Sequence, residues 1–216
     1  MVRLLWSLVI LLTLIGVAAA TRRAIVLISP AAETASRNPT AAFGSGFARH
    51  RALTLVHILP GFLFMVLGPL QFVRRIRSRH LRFHRWSGRV FVSLGLVIGV
   101  SALAMSYTTS IGGANETAAT TLFALLFLFD LVKAFVSIRR REIARHREWM
   151  IRAYAIGLAV ATVRPIVGVF FATSRLTHLT PQEFFGTAFW LGFTLHLIAA
   201  EAWINYTRGM NLAALN

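Results

Sequence analysis

The sequence predicts an all-α fold, a polytopic transmembrane bundle of six spans, from three observations. Hydrophobic residues make up 56% of the 216 residues and charged residues only 14%, whereas a soluble domain carries roughly 25% charged. The apolar residues come in runs close to the roughly 20 that a membrane span needs. The charge that remains is sorted between those runs: the net charge is +16, and most of the arginines fall in short segments separating them. In a soluble chain that balance would suggest nucleic acid. No stacking or groove-reading module is visible, so no nucleic-acid partner is expected. The arginines instead fix orientation and meet anionic lipid. Cysteine is absent, which excludes disulfides, thiolate metal sites and thiol catalysis.

Met1-Val2-Arg3 and the apolar run 4–20 form a first transmembrane helix, expected as a retained signal-anchor although Ala18-Ala19-Ala20 resembles a cleavage site. Residues 21–51, rich in Ala, Ser, Thr and Gly after Pro30, read as an external loop. Residues 52–208 read as a membrane bundle of five helices and 209–216 as a cytoplasmic tail. The second span, 52–73, contains Pro60 and Pro69; membrane helices tolerate proline where neighbours satisfy the freed carbonyls. His57, Gly61, Phe64, Gly68 and Gln71 recur on one face, which should look into the bundle. The third span, 90–106, has a close-packing stripe of Gly88, Val92, Gly95, Gly99 and Ala102. The fourth, fifth and sixth spans are 118–138, 150–172 and 185–206. Spans two to five should form a four-helix core.

Residues 74–89 hold seven arginines, and 139–152 are again strongly basic, whereas 107–117 contain no Lys or Arg. Basic loops mark the cytoplasmic side. Both basic segments and both chain ends are therefore expected inside, in the inner membrane of a bacterium. Trp86, Trp149, Trp203 and Tyr206 then lie at the inner water–lipid boundary, which suits their amphipathic rings.

One pattern occurs twice. His84-Arg85-Trp86-Ser87-Gly88-Arg89 ends the first basic segment, and His146-Arg147-Glu148-Trp149-Met150-Ile151-Arg152 ends the second. Together with His57-Ile58-Leu59-Pro60-Gly61 and Gly68-Pro69-Leu70-Gln71-Phe72, these motifs resemble a bacterial family of predicted membrane proteins known as domain of unknown function 2306. The resemblance covers roughly residues 52–205, and Arg164 and Glu201 also match it. It implies the fold and orientation and no activity.

Three functional readings remain open. Spans three and five would be diagonal in an up-down bundle, and His84 and His146 head them on the same side. Diagonal, depth-matched histidines suit a bis-histidine haem b for electron transfer, with Arg85, Arg89, Arg147 and Arg152 on the propionates. Such an architecture is similar to the transmembrane cytochromes b at the level of fold. The second reading is small-solute or proton-coupled transport, because ionisable residues within spans are costly and are functional candidates. Asp130, Arg164 and Glu201 qualify, with His57, Gln71 and His196 as polar neighbours. Asp130 or Glu201 could pair with Arg152, His57 could face Arg164, and the stripe from His146 through Met150, Ala153, Gly157 and Ala161 to Arg164 could carry a polar route. The third is a structural protein with a polybasic inner face. A metal at His80, His84 and His146 is disfavoured by the arginines around it, so no metal site is expected. No hydrolytic motif is present.

Overall fold

The computed structural model describes residues 2–29 and 45–213. Among the described residues every regular element is a helix. They are α1 (Val2–Ile28), α2 (Ser45–Arg49), α3 (Arg51–Phe72), α4 (Arg74–Arg79), α5 (Leu81–Thr108), α6 (Gly113–Arg139), α7 (Ile143–Thr177) and α8 (Pro181–Ala213). The six longest, α1, α3, α5, α6, α7 and α8, are each long and apolar enough to cross a membrane. On α6, Leu122, Leu125, Phe129, Val132 and Val136 form an exposed apolar stripe. Such a face has no suitable solvent but lipid.

Several boundaries differ from the sequence reading. The first helix does not end at residue 20 but runs on to Ile28, because Thr21-Arg22-Arg23 contains nothing that breaks a helix. The first part of the expected external loop is therefore helical, and its centre, 30–44, lies outside the described residues. At the other end α8 continues past 208 to Ala213. The basic segments are not loops either. Arginine is a good helix former, and neither glycine nor proline occurs in 74–87 or 139–152. The chain turns only at Val73, in extended conformation, at His80, and at Arg141, whose φ of 62° is left-handed. The Glu142 N–H donating to the Ser137 carbonyl at 2.9 Å closes the last of these turns. As a result α5 begins at Leu81 and α7 at Ile143, so His84 and His146 each stand three residues after the first residue of their helix.

Consecutive helices α3, α5, α6 and α7 pack side by side in order. α8 lies against α6 and α7, and α1 lies against α3 and α7. Across the centre the rings of Phe91 on α5 and Tyr154 on α7 come within 6.2 Å of each other. Phe64 of α3 occupies that centre. It is 2% exposed, stacks on Phe91 at 4.1 Å and meets the edge of Phe127 at 5.7 Å. Small residues make room for it. A methyl group added at Gly157 would stand 2.6 Å from the Phe64 ring, and one at Gly68 would overlap the Tyr154 ring. Gly95 and Gly99 let α6 approach α5 through Leu131, Phe127 and Leu128. Gly61, although on the expected inward stripe, has nothing within 4 Å of where its methyl would be. At the end opposite the basic turns, Glu116 accepts from the N–H groups of Ile111 and Gly112 at 2.7 and 2.6 Å. That satisfies donors left open before the first turn of α6.

These contacts make a stability prediction. Gly68→Ala and Gly157→Ala each force an aromatic ring out of place and should cost about 1–3 kcal/mol, the usual range for overpacking. Gly168→Ala, where a methyl meets nothing within 4 Å, should be neutral or slightly stabilising because alanine is the better helix former. Unfolding of the three variants in detergent checks the ranking.

Candidate functional site at the basic end of the bundle

His84 and His146 come together at the end of the bundle where the basic turns lie. They are close enough for their charges to interact, and Arg77 and Arg85 act on His84 in the same way. The Nδ1 atom of His146 lies 2.9 Å from the carbonyl oxygen of Ala134 on α6. A carbonyl only accepts, so Nδ1 carries the proton and Nε2 keeps its lone pair. His84 differs. Its Nδ1 is buried and has no hydrogen-bond partner. The only other such buried side-chain nitrogen or oxygen among the described residues is Nε of Arg77, at the same end. Burial, and then the charges of Arg147 and Arg74, lower the Arg77 pKa from its ordinary value. Arg77 is thus a cation whose Nε is turned inward with no counter-charge among the described residues. Its neighbours Arg74, Arg75 and Arg79 point out to solvent.

The four arginines that the sequence places beside the histidines divide. Arg85 acts on His84, and Arg147 acts on Arg77. Arg152 is already committed: its Nε and Nη2 donate to the two carboxylate oxygens of Glu201 at 2.5 and 3.0 Å, and its guanidinium lies 4.7 Å over the Trp149 ring. A two-pronged pair of this kind holds an arginine in one orientation, so Arg152 is not free for a propionate. Arg89 is exposed and makes no hydrogen bond or ion pair among the described residues. Asp130 is buried on α6, within charge range of both Arg152 and Glu201, so three helices contribute to one polar cluster. Glu148 pairs with Arg208. The two tryptophans are not equivalent: Trp86 is 63% exposed, whereas Trp149 carries Lys133 and Arg152 over its ring and Phe129 on its edge.

The remaining polar residues act as ties between helices. Gln71 donates to Ser87 at 2.8 Å, joining α3 to α5 just inside His84. His57 Nδ1 lies 3.0 Å from the Ser101 hydroxyl, and His196 Nε2 lies 2.7 Å from that of Thr162. Arg164 is far from the basic end and close enough to His57 for their charges to interact. The stripe from His146 to Arg164 is closely packed. Met150, Ala153 and Ala161 are buried, and Phe64 seals Gly157.

A family profile described as a predicted membrane protein, DUF2306, matches residues 54–204. The chain belongs to this family. The matched region contains both histidines, Arg77, the Arg152–Glu201 pair and the central Phe64. No curated protein and no solved structure matches the chain. This DUF2306 chain is therefore a membrane protein with six apolar helices, and the family description carries no activity. Arg77 escapes sequence reasoning because it is one of seven arginines in its segment and nothing in the spacing separates it from the others. The break at His80 lies between it and His84, whose charge it is close enough to affect.

The Arg152–Glu201 pair makes the second prediction. Arg152→Gln and Glu201→Gln should each lower stability by leaving a charge unpaired, and the double variant should recover part of the loss. A coupling of about 1 kcal/mol is expected, as for polar contacts between membrane helices, read from unfolding of the four proteins of the cycle in detergent.

Proposed function

We propose that the chain holds one b-type haem at the basic end of the bundle, between His84 and His146, and passes single electrons within the membrane. The state of the two imidazoles carries this reading. His146 has Nδ1 tied to a backbone carbonyl and Nε2 free, the usual arrangement of a metal-ligating histidine. His84 opposite it has a buried nitrogen with no partner. The surroundings fit the group. Gly88 lies one turn further along α5 from His84, and a methyl there would meet only the Gln71 Oε1 at 3.3 Å, so that side carries little bulk. Arg77, Arg85 and Arg147 would meet the propionates, and Arg77 would gain the anion that its buried Nε lacks. When bound, haem supplies a one-electron couple tuned by its axial ligands and the surrounding charge.

The protein's own part is positional. The Ala134 carbonyl fixes the His146 ring. The Gln71–Ser87 bond holds α3 against α5 beside His84. The cationic rim favours the electron-rich state of any redox group between the histidines. By the positive-inside rule this end faces the cytoplasm of a bacterial inner membrane, and the exposed Arg74, Arg75 and Arg79 meet anionic lipid there.

The test is the absorption spectrum of protein purified from haem-replete cells. A Soret band is expected, lost in His84→Ala and in His146→Ala and kept in His196→Ala, whose imidazole is bonded to Thr162. A colourless wild-type protein, or a band that survives both substitutions, contradicts the proposal.

A further inference from the structure

We infer that the opposite end of the bundle binds an oxyanion of the phosphate class, held by Arg23 of α1, Arg164 of α7 and His57 of α3. This inference does not draw on the haem reading. Arg164 stands about 27 Å beyond His146 along α7 at 1.5 Å per residue, close to the thickness of a bilayer's hydrocarbon, about 30 Å. Arg23 stands about 31 Å along α1 from Val2 by the same measure. Both therefore reach the far hydrocarbon boundary, where phospholipid phosphates lie. α1 packs against both α3 and α7, so the three groups come from mutually adjacent helices. The charges of Arg23 and Arg164 interact, as do those of Arg164 and His57.

These cations lack a counter-charge among the described residues. Arg164 donates to the Val160 carbonyl of its own helix at 2.8 Å, which leaves most of its five donors unused. Arg23 lies 4.5 Å over the Phe47 ring and makes no hydrogen bond among the described residues. The described carboxylates are engaged elsewhere. Glu116 caps α6 and Glu183 accepts from Thr180. Glu201 and Glu148 pair with arginines at the basic end, Glu142 pairs with Arg145, and Asp130 lies beside Arg152. Two arginines at a membrane boundary with no carboxylate are costly. The planar fork of a guanidinium matches a phosphate with two parallel hydrogen bonds. His57, whose ring is held by the Ser101 hydroxyl through Nδ1 and by the Ile98 carbonyl, would join them through Nε2. The ligand is either free phosphate or the phosphodiester of a phospholipid headgroup.

The experiment is thermal unfolding of the full chain in a neutral detergent with sodium phosphate, phosphatidylglycerol or phosphatidylcholine added, each against chloride at equal ionic strength. A rise in Tm with inorganic phosphate assigns a free oxyanion. A rise with either phospholipid but not with inorganic phosphate assigns a headgroup. In both cases the rise should vanish in Arg23→Gln and Arg164→Gln and persist in Arg74→Gln at the other end. If Arg164→Gln does not fold, Arg23→Gln decides alone. No rise with any of the three overturns the proposal, as does a rise that survives Arg23→Gln.

Discussion

The bundle depends on one aromatic ring at its centre. Phe64 of α3 lies on Gly157 of α7, stacks on Phe91 of α5 and touches Phe127 of α6. Four helices thus share one contact, and that contact sets how far each is slid along its axis. In lipid there is no hydrophobic gain from bringing helices together, so close packing of large rings on small residues supplies the attraction. The register it sets has a consequence one end away. His84 and His146 sit at the same place in their own helices, and the packing of α5 and α7 through Phe91 and Tyr154 carries both to the same mouth.

Charge is distributed by the same economy of solvation. Where an ionised group must lie inside the bundle, the chain provides a partner from another helix: Glu201 for Arg152, with Asp130 alongside. Among the described residues, cations without a carboxylate partner stand at both ends: Arg77 beside His84 at the basic end, and Arg23 and Arg164 beside His57 at the other. The centre between them is filled with rings, which separates the two ends.

Much of the fold was legible in the sequence because membrane spans announce themselves by length and composition. The six spans, the close-packing glycines Gly95 and Gly99, and the partnership of Arg152 with a carboxylate follow from spacing and depth alone. The misreadings have a common cause. Arginine-rich segments look like solvated loops, yet arginine is a good helix former, so 74–79, 81–89 and 143–152 are helical and the mouths are built on rigid elements. The candidate site was legible at its two histidines and illegible at Arg77, whose inward-turned Nε no residue pattern announces. Arg89 and Arg152 illustrate the converse. They have the right residue type at the right depth, but one faces outward and the other is occupied by Glu201.

The account rests on His84 and His146 sharing one mouth, and the cysteine-free chain allows this to be measured directly. Cysteines placed at 84 and 146 should be joined within one molecule by a short bifunctional thiol reagent, and cleavage at a single specific-protease site inserted in the turn at Arg139 to Arg141 should then leave the two fragments attached. A control pair at 84 and 178, at opposite ends of the bundle, should fall apart after the same cleavage. If the fragments of the 84 and 146 protein separate as readily as those of the control, the two histidines do not face one another and the proposed site does not exist.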